Sequence, residues 1–209
     1  MASDNGRDRR ATFDALFADD RDPWSFETSD YERSKRAATL AALGERRFAC
    51  ALEIGCAQGV LTEQLAPACD TLLAMDISEV ALKRASARLA HQPHVQFRQG
   101  EIPRAWPEEG QCRPFDLILL SEVLYFLSAE EVERTSIAAH RALSSQGICL
   151  LVNWTGPTDL PLGGDAVVRL FEMSAPWKGT LRKQNGRYRL DRYTQRFIAP
   201  QEASKPLLI

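Results

Sequence analysis

Four acidic residues stand where short apolar runs give way to polar sequence: Glu53, Asp76, Glu101 and Glu122. Glu53 closes an apolar run and is followed by Gly55 and Gly59, four residues apart, within Ala51-Leu52-Glu53-Ile54-Gly55-Cys56-Ala57-Gln58-Gly59. Glycine lets backbone approach a nucleotide-like ligand, because a side chain would block the approach or forbid the turn. Asp76 stands 21 residues after Gly55, the distance at which a carboxylate accepts hydrogen bonds from ribose hydroxyls. The other reading of Asp76 is a cap for the following helix, a role Ser78 also suits. Glu122 opens Ser121-Glu122-Val123-Leu124-Tyr125-Phe126, just past an apolar run. A carboxylate there can take a proton from a substrate, with the Tyr125 hydroxyl orienting the reacting group. The alternative for Glu122 is a ligand contact or a helix cap.

The elements that must position these groups follow from apolar patterning. Strands are expected at Phe48–Ile54, Thr71–Met75, Val95–Gln99, Phe115–Leu120 and Ile148–Asn153; Phe115–Leu120 is near-continuously apolar, as in a strand buried on both faces. A helix opens at Val60, and others fill Val80–Ala90, Glu130–Leu143 and Asp165–Ser174. Loops occupy Pro103–Pro114 and Trp154–Gly164, and a turn at Ser144–Gly147 leads into the fifth strand. Strands Thr180–Gln184 and Arg187–Tyr193 flank Asn185-Gly186, a strong hairpin signal. Before this core, Met1–Asp8 reads as a frayed tail and Arg9–Phe17 as a short helix broken by Asp19–Pro23. A second helix, Asp30–Leu43, has Ser29 and Glu32 as a capping box and Gly44 as its stop. That segment, with Trp24, Tyr31 and the basic set Arg33, Lys35 and Arg36, is either a covering wall or a lid over the ligand. His140 reads as structural, and Pro200–Ile209 as irregular.

The 209 residues are 44% hydrophobic and 26% charged, which fits one α/β domain: residues 1–44 as cap and 45–209 as Rossmann-like core. A net charge of −2 argues against a nucleic-acid partner. Five cysteines, Cys50, Cys56, Cys69, Cys112 and Cys149, form no C-x-x-C pair. They read as reduced thiols of a cytoplasmic protein, with no metal site. No apolar run reaches the ~18 residues of a membrane span.

The dinucleotide fingerprint places glycine where this chain has Gly55, Ala57 and Val60. Val60 argues against a nicotinamide-dependent oxidoreductase, the second reading; a nucleotide-binding protein without catalysis is the third. Glu53-Ile54-Gly55-Cys56-Ala57-Gln58-Gly59 instead resembles the first motif of class I S-adenosylmethionine-dependent methyltransferases, with Ala57 in place of the middle glycine. That resemblance implies a three-layer sandwich around a mostly parallel seven-stranded sheet with a C-terminal antiparallel hairpin. It also places Glu101 against the adenine amino group. Together with Asp22-Pro23-Trp24, Tyr31-Glu32-Arg33 and Leu61-Thr62, the chain resembles the NodS family of rhizobial nodulation methyltransferases. The family resemblance implies N-methylation of a chitooligosaccharide deacetylated at its non-reducing end, with S-adenosylmethionine becoming S-adenosylhomocysteine. Expected cofactor contacts are Trp24, Arg33, Glu53, Gly55, Cys56, Ala57, Gly59, Asp76, Ile77, Gly100, Glu101, Ile102 and Ser121. The expected catalytic pair is Glu122 and Tyr125. Trp24, Trp154 and Trp177 offer faces for sugar stacking.

Overall fold

The computed structural model describes residues 5–107 and 114–196. Cys112 and the stretch Pro200–Ile209 lie outside them, as does part of the loop Pro103–Pro114. A seven-stranded sheet runs in the order β3-β2-β1-β4-β5-β7-β6. Its strands are β1 (Ala51–Ile54), β2 (Leu72–Asp76), β3 (Val95–Gln99), β4 (Phe115–Ser121), β5 (Leu143–Trp154), β6 (Trp177–Asn185) and β7 (Tyr188–Gln195). The first five pair in parallel, whereas β7 is antiparallel to both β5 and β6.

Apolar residues on both faces of the parallel strands make two cores. Leu52, Ile54, Ile118, Leu120 and Leu151 pack under α5 (Ala129–Ala142) and α6 (Gly164–Met173). Ala51, Leu117, Leu119 and Leu150 pack under α2 (Asp30–Leu43) and α3 (Val60–Leu65). The result is the expected three-layer sandwich. It puts the carboxyl ends of β1 to β4, where open α/β sheets bind ligands, on one edge. α4 (Glu79–Arg88) follows β2, and α1 (Asn5–Asp19) packs against α4.

Local chemistry sets the ends of these elements. α2 has the expected bounds, with the Ser29 hydroxyl accepting from Glu32 N–H at 3.4 Å and Gly44 at φ +74°. The other half of the expected capping box is missing, because the Glu32 carboxylate turns inward to Lys35. Ser128 and Glu131 form a complete box at the start of α5. α1 begins before the expected Arg9, inside the stretch read as a frayed tail. The expected turn at Ser144–Gly147 belongs instead to β5, whose register against β4 shifts between Phe115 and Leu117. In the hairpin Asn185 pairs with Tyr188, so the two-residue loop is Gly186-Arg187. Positive φ at Gly186 alone suits a turn that needs glycine first.

Cys56, Cys69 and Cys149 are free and buried. Cys50 is disulfide-bonded, which corrects the expectation that every cysteine is a reduced thiol; pairing depends on proximity in the fold, which spacing does not reveal. Trp177 is also not a sugar platform. It is buried, stacks on Phe171 at 5.4 Å and donates to the Ser136 hydroxyl. His140 packs edge-on against that Trp177 ring, in keeping with a structural role.

Candidate active site

The turn after β1 is folded by the chemistry of its residues. Gly55 has φ +86°, and a Cβ there would lie 2.5 Å from both Ser121 O and Val123 Cγ1. No residue with a side chain fits. The N–H groups of Gly55 and Cys56 both donate to Met75 O, tying the turn to β2. Ala57 adopts φ +47°, the left-handed conformation that glycine would take without strain. Asp76 braces this loop. One carboxylate oxygen accepts Ala57 N–H and the other Ser78 N–H, each at 2.9 Å. Ser78, not Asp76, caps α4 by accepting from Ala81 N–H. Asp76 is therefore free of the capping role. Burial raises its pKa, partly offset by the N–H groups it accepts.

A cavity of about 570 Å³ opens beside this turn, within the range of small-molecule sites. Of the expected cofactor and catalytic residues, Trp24, Gly55, Ala57, Asp76, Ile77, Gly100, Glu101, Ile102, Ser121, Glu122 and Tyr125 line it. Four expected contacts lie elsewhere. Arg33 points to solvent and pairs with Asp30. Gly59 packs on α4, where a Cβ would meet Ala85 and Leu89 at 3.0 Å. Cys56 lines a smaller cleft shared with Arg36 and Gln58. Glu53 is fully buried on the α3 side of β1. Neither of its carboxylate oxygens has a hydrogen-bond partner among the described residues. Burial raises its pKa to about 7; the Thr62 hydroxyl offsets part of this while lying outside good hydrogen-bond geometry.

Two contributors were not among the expected site residues. α1 walls the cavity with Arg9, Phe13 and Phe17. Arg9 donates two 2.9 Å hydrogen bonds to Glu131 and stands 3.2 Å from Glu101. The other is Lys35, which turns inward while its neighbour Arg33 does not. Its ammonium donates to Glu32 at 2.9 Å and across to Glu122 at 2.7 Å. Burial opposes the charged form of Lys35, but the two carboxylates overcome it and the pKa is raised.

Glu122 is the centre of the cavity floor. It sits at φ +58°, a conformation costing a non-glycine residue of order 1–3 kcal/mol that the surroundings must over-determine. They do so with three donors: Lys35 Nζ, the Tyr125 hydroxyl at 2.7 Å and Trp154 N–H at 2.8 Å. Burial and the Glu122 charge push the Tyr125 pKa well above its usual value, so the phenol stays protonated and donating. Glu32, Lys35 and Glu122 together leave one net negative charge facing the cavity. The site therefore favours a cation.

The donor set suits a nucleoside-bearing cofactor: a glycine cradle, a loop-braced carboxylate, a second carboxylate at Glu101 and a floor that attracts positive charge. Among the described residues no group of three metal-ligating side chains occurs, and no helix is long and apolar enough to cross a membrane. Sheet order, antiparallel tail and strand-end cavity define a class I methyltransferase fold. The chain belongs to the nodulation protein S (NodS) family, whose model matches residues 14–147. Nodulation protein S of Bradyrhizobium diazoefficiens is 33% identical over 146 residues, 69% of this chain and 63% of that protein. The Rhizobium tropici relative is 36% identical over 107 residues, 51% of this chain and 43% of its own length. The chain thus matches about half the length of these curated relatives. Among solved structures, N-methyltransferase NodS from Bradyrhizobium japonicum WM9 in complex with S-adenosyl-L-homocysteine superposes with a TM-score of 0.76 at 24% identity, over 92% of this chain and 99% of that one.

Proposed function

We propose that this chain is an S-adenosylmethionine-dependent N-methyltransferase. Its acceptor is the free amine at the deacetylated non-reducing end of a chitooligosaccharide. One observation carries the reading: a single cavity runs from Asp76 and Glu101 to Glu122 and Tyr125, so nucleoside and acceptor ends adjoin. Membership of the NodS family supports the substrate class. Asp76 holds the ribose hydroxyls, Glu101 the adenine amino group, and Gly55 and Ala57 present backbone. When bound, the cofactor supplies an electrophilic methyl group on a sulfonium centre.

The protein's task is then orientation, exclusion of water and removal of one proton. Orientation of this kind is worth about 7–11 kcal/mol of a barrier. Glu122 receives the acceptor as an ammonium and takes its proton, and Tyr125 orients the nitrogen. Taking that proton requires one of the three donors on Glu122 to yield its place, as a general base must be within hydrogen-bond reach of the proton it removes. Trp24 and Trp154, both at the cavity, present faces for sugar rings; Trp154 is held by Tyr31 in an edge contact at 6.0 Å. The test is mass spectrometry of deacetylated and fully acetylated chitooligosaccharides incubated with enzyme and S-adenosylmethionine. A single added methyl on the terminal nitrogen of the deacetylated sugar alone is the expected result. Methylation of oxygen, or of neither sugar, would refute the assignment.

A further inference from the structure

The contact between α2 and the cavity floor is buried, charged and made by a residue that no motif singled out. Lys35 Nζ bridges Glu32 on its own helix and Glu122 at the end of β4. It also stands 5.2 Å from the Tyr31 ring centroid. Its side chain is 8% exposed and that of Glu32 9%. An ion pair this deep is not a surface ornament, since desolvation opposes it unless the geometry is good. All three of its charged members line the same cavity. The titratable groups around Glu122 are Glu32, Lys35 and Tyr31 from α2, and Tyr125 from the turn beyond β4.

Without Lys35, one oxygen of Glu122 would lose its side-chain donor, and among the described residues Tyr125 and Trp154 N–H, both on the other oxygen, would remain to fix the carboxylate. Two carboxylates would then face each other across the cavity wall. We propose that Lys35 is a positioning residue for the acceptor: it aims Glu122 at the incoming amine and trims the floor from two negative charges to one. The proposal rests on the N-methyltransferase reading and adds to it that α2 is part of the acceptor site. The trimmed charge lets an ammonium bind without being held so tightly that its proton is hard to remove, since an opposite charge favours the charged form.

The test compares wild type, Lys35→Met and the double variant Glu32→Gln/Lys35→Met, which keeps the cluster at one negative charge. The turnover number should fall about 10²-fold in both variants, the scale of a small misplacement of a reacting group. KM for the deacetylated oligosaccharide, and its calorimetric affinity in the presence of S-adenosylhomocysteine, should stay level or improve in Lys35→Met. The acid limb of the pH–rate profile should move to higher pH in Lys35→Met, where two buried carboxylates face each other, and less in the double variant. Affinity for S-adenosylhomocysteine should hold within a few-fold. If turnover in either variant equals wild type, or if its loss is matched by weaker cofactor affinity with an unmoved pH profile, Lys35 is only a structural tie and the proposal falls. A wild-type enzyme that binds S-adenosylhomocysteine yet methylates no amine would overturn the reading beneath it as well.

Discussion

Gly55 and Ala57 both have positive φ, but only Gly55 lacks room for a Cβ. Gly55→Ala should push Ser121 or Val123 aside and weaken S-adenosylhomocysteine binding about tenfold or more, a loss of at least ~1.4 kcal/mol; calorimetry reads this directly. Ala57→Gly should do the reverse for stability, relieving left-handed strain worth up to about 1 kcal/mol, seen as a higher urea midpoint. Asp76→Ala removes a charged acceptor from ribose and the brace on Ala57 N–H. Each charged hydrogen bond is worth about 1.5–3 kcal/mol, so unchanged cofactor affinity would exclude Asp76 from the ribose site. Gly55, Asp76 and Glu122 were legible because each sits at a strand end that its own sequence announces. The inward turn of Lys35 was not: Arg33, Lys35 and Arg36 share one charged stretch, and periodicity does not say which of them meets a distant carboxylate.

α2 was legible to the residue, since Ser29 and Gly44 are strong end signals. α1 was legible as a helix over Arg9–Phe17, but its start at Asn5 and its place at the cavity were not, because the sequence is polar on most sides and gains that place from Phe13, Phe17 and Arg9 meeting the cavity and Glu131. The expected lid, Trp24–Leu43, is thus one of two covering helices. Both should be ordered further by ligand: amide hydrogen exchange across residues 9–43 should slow when S-adenosylhomocysteine binds. Equal exchange with and without it would make these helices a fixed wall. The C-terminal hairpin was legible from Asn185-Gly186, but its loop lies one residue later, since strand register, not the dipeptide alone, decides which pair makes the turn.

At the scale of the molecule, one buried acid links stability to pH. Glu53 has its pKa raised by burial from 4.5 to about 7. The folded state therefore binds this proton more tightly than the unfolded chain. Stability from this group is fully present below pH ~4.5 and is lost as pH rises toward ~7, on the order of 3 kcal/mol in all. Glu53→Gln should flatten that decline in urea midpoints taken at pH 5 and pH 8; an undiminished decline would assign it to other groups. The parallel strands β1, β2, β4 and β5 were legible because each is largely an apolar run buried on two faces, whereas the joining of α1, α2, β4 and β5 around one cavity depends on contacts far apart in sequence. The central claim is that this cavity holds a sulfonium cofactor and its product rather than a dinucleotide. Calorimetric titration of the wild-type chain with S-adenosylhomocysteine and with NAD tests it most directly. Saturable one-to-one binding of S-adenosylhomocysteine, with no heat from NAD, is the predicted result; tighter binding of NAD, or no binding of S-adenosylhomocysteine, would contradict it.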